Sequence, residues 1–199
     1  MAQMLRLVSK IARGDKYMDN YSSWKEISAI RETLRDEYLQ YWLNTNLFSF
    51  QWWIILVLNI LFFYIALRIL DRARLFELLT VGGLIVLFST VLDAIGGHYQ
   101  LFAYPISLTP VIPSFFTADY IILPVIYMLL YQSFSSWKSF IIVNMILGLF
   151  LAFVIENLFR WLNIYQYMNW NSFYSLIVYL GMTIIMKWIM NNLARAQKQ

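Results

Sequence analysis

The sequence predicts an all-α membrane protein, a bundle of about five transmembrane helices preceded by an N-terminal amphipathic helical segment. Of the 199 residues, 61% are hydrophobic and only 13% are charged, whereas soluble domains carry about 25% charged residues. So few charges cannot cover a water-facing surface, and the mean hydropathy of +0.60 agrees with a lipid bilayer as the surrounding medium. The net charge of +4 belongs mainly to loops and tails, so we expect no nucleic-acid partner.

The first 49 residues are rich in charge and are predicted to form amphipathic or interfacial helices. Residues 2–13 mix apolar and basic side chains, which is typical of a short helix at a membrane surface. Ser23 and Glu26 have the spacing of a capping box at the start of a second helix. That helix carries an apolar stripe that includes Trp24, Ile27, Ile30 and Leu34. The stripe predicts either a helix lying on the bilayer or the bundle, or a docking face for another protein.

Five apolar runs approach the 20 residues that a spanning helix needs. The predicted spans cover 50–67, 75–92, 115–134, 140–159 and 173–190. They form a membrane domain over 50–190, followed by a polar tail over 191–199. Three prolines within 95–117 exclude a regular helix there, so this stretch is predicted to be an exterior loop or a re-entrant segment. No internal repeat is evident in the sequence.

Lysine and arginine near the spans predict the orientation in the membrane. The basic residues Arg68, Arg72, Arg74 and Lys138 fall on one side of the predicted bundle. Basic loops stay in the cytoplasm, so we expect the N-terminus outside and the C-terminus inside. The same four side chains are expected to contact lipid headgroups.

This orientation brings ionisable side chains from three spans toward the outer face. Asp93, His98, Asp119, Glu156 and Arg160 form this predicted polar site. Ionisable groups in a membrane domain are costly, face the bundle interior and often mark functional sites. Simpler alternatives are a Glu156–Arg160 pair one turn apart and helix-end or loop positions for the other three side chains.

The motif content favours a non-enzymatic protein. The chain has no GxSxG, HExxH, P-loop or GxGxxG motif, and its LDAIGG and TADY segments lack the glycine-aspartate motif of intramembrane aspartyl proteases. We therefore assign no catalytic residue and expect no cofactor. Carboxylates and one imidazole suit a divalent cation, so a metal ligand set stays open.

The membrane domain contains the segments DRARLFELLTVGG, YPISLTPVIPSFFTADYIILPVIYMLLYQ, SWKSF and FVIENLFRWLNIYQY followed by WNSFYS. Together these resemble a family of small uncharacterised multispanning membrane proteins of spore-forming Bacillota. The resemblance implies a bacterial cytoplasmic-membrane protein of undetermined activity and supplies no mechanism. Family members often have a proline after the glutamate that corresponds to Glu156, whereas Asn157 stands here.

Three functions follow from these observations as alternatives. The first is binding or translocation of a small solute or cation at an outward-facing polar site. The second is an accessory subunit that docks to a protein partner through its N-terminal helix. The third is an intramembrane enzyme that uses Asp93, Asp119 or Glu156 as acid, base or metal ligand. The oligomeric state is not predicted.

Overall fold

The computed structural model describes residues 23–110 and 118–196, and these residues are almost entirely helical. Among them, four helical segments are long and apolar enough to cross a membrane. These segments are Phe50–Ile69, Arg72–His98, Trp137–Trp161 and Ser172–Ala196, and a shorter apolar helical stretch covers Ala118–Ser133. The predicted all-α bundle is confirmed, and the protein is a multi-pass integral membrane protein. The predictions for 2–13, 115–117 and 197–199 lie outside the described residues.

The chain divides into two compact units, Met1–Tyr41 and Trp42–Gln199. Helix α1, Trp24–Tyr41, is the described helix of the first unit. The predicted capping box is present, because the Ser23 amide donates to the Glu26 carboxylate at 2.7 Å and the Glu26 amide donates to Ser23 Oγ at 3.3 Å. No residue of α1 is buried.

The second unit begins with a π-helical turn, Trp42–Asn46, and continues as a hairpin of two long helices. Helix α2, Phe50–Ile69, starts at Ser49, whose side chain accepts a hydrogen bond from the Trp52 amide. A 3₁₀ turn at Arg72–Arg74 leads into helix α3, Leu75–His98. Helix α3 runs six residues beyond the predicted end of the second span and passes through Gly96 and Gly97.

A second hairpin follows the undescribed residues 111–117. A π-helical turn, Ala118–Ile122, precedes helix α4, Leu123–Ser133. Pro124 lies in the first turn of α4, where a missing amide proton costs nothing. Helix α5, Trp137–Phe150, continues through a π-helical turn, Leu151–Ile155, into helix α6, Glu156–Trp161.

Helix α7, Ser172–Ala196, packs against both hairpins. The Asn144 side chain of α5 donates to Thr183 of α7 at 2.7 Å, and both residues are buried. Gly148 lets the two helices approach, since a Cβ there would lie 3.1 Å from Leu176. Polar bonds and small residues of this kind hold membrane helices together where no hydrophobic force acts between them.

Two short strands join the ends of the hairpins. Strand β1, Phe102–Ala103, pairs with strand β2, Gln166–Tyr167, in antiparallel register. The loop that contains β1 is also held by the indoles of Trp42 and Trp52, which donate to the carbonyls of Ser107 and Leu108 at 3.0 Å. Within the described part of 95–117, the chain is thus helical to His98 and then irregular with one short strand.

Candidate functional site

A cavity of about 260 Å³ opens inside the second unit, between α3, the turn before α4, α6 and α7. Apolar side chains form most of its wall. Three carboxyl groups also line it, those of Asp93, Asp119 and Glu156, together with Ser89 and Ser175. None of the described residues that line the cavity is a lysine, an arginine or a histidine.

The first acidic group of the cavity is a pair of carboxyls. The Asp119 side chain is buried and lies within hydrogen-bonding contact of Asp93 and Ser89. Tyr104 donates from its hydroxyl to Asp93 Oδ1 at 3.1 Å. Two neighbouring carboxyl groups in an apolar wall repel each other when both are ionised, which favours sharing one proton when no other positive charge is present.

The second acidic group is Glu156, whose carboxylate is held by hydroxyl groups. Tyr179 of α7 donates to Oε1 at 2.7 Å, and Tyr167 donates to Oε2. The Tyr167 hydroxyl also lies 3.0 Å from Ser172 Oγ. Burial raises the pKa of Tyr167 to about 12, and its hydrogen bond to Glu156 acts in the same direction, so this phenol stays a protonated donor.

The remaining members of the predicted polar site lie outside the cavity wall. His98 is exposed at the end of α3, with its ring 5.0 Å from that of Tyr99. Arg160 lies over the ring of Tyr167 at 4.3 Å and donates to Asn157 at 2.9 Å. No ion pair joins Arg160 to Glu156 among the described residues. Arg160 therefore acts on the Glu156 carboxylate at longer range, with the Tyr167 ring beneath the guanidinium and no ion pair between them.

The two long hairpins end in the same local structure, at a constant offset of 63 residues (93 to 156, 104 to 167). Each acid is followed by five further helical residues, to His98 in one hairpin and to Trp161 in the other. Each tyrosine eleven residues after the acid donates to that acid.

The backbone between these residues repeats at the same offset. Gln100 and Asn163 adopt left-handed conformations, with φ of 50° and 56°. The next amide in each hairpin bonds back to an equivalent carbonyl, Leu101 to Gly96 at 2.9 Å and Ile164 to Phe159 at 2.8 Å.

The strand pair relates the two hairpins to each other. Ala103 and Gln166 are equivalent positions, and they are register partners in the β1–β2 ladder. An antiparallel pair centred on equivalent residues is locally two-fold symmetric. The likeness between the two hairpins lies in helix-end geometry and acid–tyrosine spacing, and few residue identities accompany it, so it is not evident as a repeat in the sequence.

Both acidic groups are next to π-helical turns. Asp119 lies within the turn Ala118–Ile122, and Glu156 directly follows the turn Leu151–Ile155. An extra residue in a helix shifts the side chains that follow around the axis and leaves backbone carbonyls weakly bonded, and such turns occur often at functional sites.

Most of the basic residues of the described part of the second unit lie at the opposite end of the bundle, away from Arg160. Arg74 forms a two-pronged contact with Glu77 at 2.8 and 3.1 Å, and Tyr131 donates to the same carboxylate at 2.9 Å. Lys187 is buried, donates to the Phe134 carbonyl at 2.7 Å and lies 4.0 Å from the centre of the Phe140 ring.

The predicted headgroup contacts at that end differ in their surroundings. Arg72 and Lys138 are exposed, and exposed Arg68 lies over the Tyr64 ring at 5.3 Å. Arg74 is half-buried and directed at Glu77, so it has a partner within the protein. Nothing in the structure assigns a lipid to any of the four.

The tyrosines that hold the acids, Tyr104, Tyr167 and Tyr179, are not among the site residues predicted from the sequence. The available signal was the shared eleven-residue spacing of an acid and a tyrosine. Tyr179 gave no such signal, because α7 brings it to Glu156 only through tertiary packing.

Comparison of this chain with family models, with curated proteins and with solved structures finds no match. Functional conclusions therefore depend on the geometry of the cavity.

Proposed function

We propose that the cavity binds a small positively charged solute within the membrane. The observation that carries this proposal is that Asp93, Asp119 and Glu156, from three different helical segments, line one cavity, while no basic side chain of the described residues does. Uncompensated negative charge in an apolar surrounding is costly, so the site must take up either protons or a cation.

The hydrogen bonds neutralise the negative charge of the Asp93–Asp119 pair better than that of Glu156. One proton can be shared between Asp93 and Asp119, whereas the oxygens of Glu156 accept from neutral hydroxyls. Hydroxyl donors disperse negative charge but do not cancel it. A cationic solute in the cavity would supply the missing charge to Glu156 and replace the proton of the carboxyl pair.

The repeated hairpins favour transport over storage of this solute. Many membrane carriers are built from internal repeats, and their substrate sites lie where the repeats meet. Here, the first hairpin supplies Asp93 and the second supplies Asp119 and Glu156. The cavity thus lies between two like elements that could move relative to each other.

Binding can be tested on the purified protein in detergent by equilibrium dialysis with labelled rubidium, methylammonium and tetramethylammonium, and with acetate as the anionic comparison. We expect at least one cation to be retained and acetate to be excluded. Glu156→Gln and Asp119→Asn should each reduce retention at least tenfold, whereas Asp36→Asn, an exposed carboxyl on α1, should not. If no cation is retained, or if the cavity variants retain as much as the parent chain, the proposal is wrong.

We also propose that the cavity end faces the cell exterior and that the membrane is a bacterial cytoplasmic membrane. The support is the basic end of the bundle, where Arg72 and Arg74 precede α3 and Lys138 lies in the first turn of α5. A single cysteine at position 72 should then be protected from an impermeant maleimide in intact cells, and one at position 99 should react. The reverse pattern would invert the orientation.

A second candidate function is docking to a protein partner through α1. Trp24, Ile30 and Leu34 are 70%, 64% and 66% exposed. Basic and acidic side chains alternate along the rest of the helix, so it lacks the basic face that anionic lipid headgroups attract. Ile30→Asp with Leu34→Asp should release a co-purifying protein. If these substitutions instead make α1 more sensitive to protease in vesicles that contain this chain alone, α1 contacts the membrane and the docking proposal is wrong.

A further inference from the structure

We infer that the cation taken by this cavity is an organic ammonium ion with an apolar body, recognised by aromatic rings as well as by carboxyl groups. This inference rests on the proposed function and specifies its substrate class. It comes from the part of the wall that the acids do not occupy.

Aromatic rings gather on the loop side of the cavity. Phe102 lies within 5.5 to 5.8 Å, between ring centres, of Tyr104, Tyr165 and Trp170, and all four line the cavity. Tyr104 and Tyr165 stack at 5.2 Å. Phe102 and Tyr165 are buried, so these rings are withdrawn from bulk water. A desolvated ring face attracts a cation more strongly than an exposed one, and quaternary ammonium groups are commonly bound in this way.

Hydrogen bonds connect the same ring cluster to both acidic groups. Tyr104 belongs to the ring cluster and donates to Asp93. Trp170 donates to Ser175 at 2.9 Å, and Ser175 contacts the Glu156 carboxyl. A cation at the ring faces would therefore lie near both acids. Neither carboxyl group would coordinate it directly, as it would coordinate a metal ion.

The acids are poorly arranged for an inorganic cation. No group of three or more His, Cys, Asp or Glu side chains among residues 23–110 and 118–196 is close enough to hold a metal ion. A divalent cation needs about six oxygen ligands in close contact. Much of the wall here is instead hydrocarbon, including Leu92, Leu123, Leu151 and Met182.

The size of the cavity sets the size of the ligand. An apolar cavity of about 150 Å³ binds benzene, so a volume of about 260 Å³ accommodates a solute of roughly ten non-hydrogen atoms. Choline and tetramethylammonium are in this range. Larger lipophilic cations, such as tetraphenylphosphonium, are not.

The test compares choline with its neutral isostere 3,3-dimethyl-1-butanol and with rubidium, using titration calorimetry on the full chain in detergent. We expect choline to bind at least tenfold more tightly than either. Tyr165→Leu, which removes a ring face from the cavity, should weaken choline binding by about tenfold. Tyr99→Leu, the same change at an exposed tyrosine outside the cavity wall, is the matched control and should have no effect on binding.

The outcomes separate this inference from the proposed function. Rubidium binding that depends on Glu156 while choline fails to bind would keep the cation site and overturn the ammonium assignment. Equal affinity for choline and the neutral isostere would overturn both. Choline binding that Tyr165→Leu leaves unchanged, in a variant that still unfolds cooperatively, would remove the rings from recognition and overturn the inference.

Discussion

The two ends of the helix bundle each contain a glutamate that accepts hydrogen bonds from tyrosine, but the charged partners of the two glutamates differ. At the basic end, Glu77 receives a two-pronged contact from Arg74 and a hydrogen bond from Tyr131. At the cavity end, Glu156 also receives tyrosine hydrogen bonds, yet no described basic side chain forms an ion pair with it. Glu77 is thus paired directly with a cation of the chain, whereas Glu156 accepts from hydroxyls and has Arg160 only at longer range.

A substitution at Gly96 should have the largest effect, because it disrupts the cavity end directly. A Cβ at this position would lie 2.2 Å from the Phe102 ring, while one at Gly97 would meet nothing within 4 Å. We expect Gly96→Ala to lower the free energy of unfolding by about 1–3 kcal/mol through overpacking, and Gly97→Ala to maintain or raise it. Thermal unfolding in detergent measures both. Equal behaviour of the two variants would mean that Phe102 moves away freely and does not fix the ring cluster.

Removing the charge of one glutamate at each end should give different results for stability. Glu77→Gln removes the negative charge that pairs with Arg74. Because both side chains are about a third exposed, we expect the free energy of unfolding to fall by only about 1 kcal/mol. Glu156→Gln removes a buried charge that no ion pair compensates and keeps an acceptor for Tyr179, so the fold should be unchanged or slightly more stable. The comparison requires denaturation of both variants under one condition. A larger loss for Glu156→Gln would show that its charge stabilises the fold and is not reserved for a ligand.

The smallest expected effects test the equivalence of the two hairpins. Tyr104→Phe and Tyr167→Phe each remove one hydroxyl donor from an acid, at matching positions of the repeat. We expect each variant to lower the free energy of unfolding by about 0.5–1.5 kcal/mol. The double variant should lose close to the sum of the two, because the two tyrosines hold different acids. Tyr99→Phe, at an exposed tyrosine outside the cavity wall, is a control for the loss of a phenol. Strong non-additivity would indicate that the two acids are coupled more tightly than their separate donors suggest.

Hydropathy and length were enough to predict the all-α bundle, because a spanning helix must be apolar over a fixed length. They also located Asp93, Asp119 and Glu156, since an acid inside an apolar run stands out. The helix ends were harder to predict. Helix α3 continues past Asp93 to His98 through two glycines, which local propensity alone would treat as a turn.

The partners of the acids could not be predicted for a different reason. Arg160, one turn after Glu156, was the natural partner by helical spacing, but the loop that returns through β2 places Tyr167 between them. Lys187 contacts the Phe134 carbonyl, a contact that depends on how α4 and α7 pack. Such contacts depend on tertiary structure, and one sequence does not contain enough information to deduce them.

The β1–β2 ladder, in which Ala103 and Gln166 are both equivalent and paired, has the form of a contact between two copies of one hairpin. In a symmetric homodimer every change would appear twice, so both acids would have to be identical and equally surrounded. Joined in one chain, the copies are free to diverge. One carries an aspartate that contacts another aspartate, and the other carries a glutamate that accepts a hydrogen bond from α7. Joining the two hairpins in one chain thus allows equivalent positions to hold carboxyl groups with different surroundings.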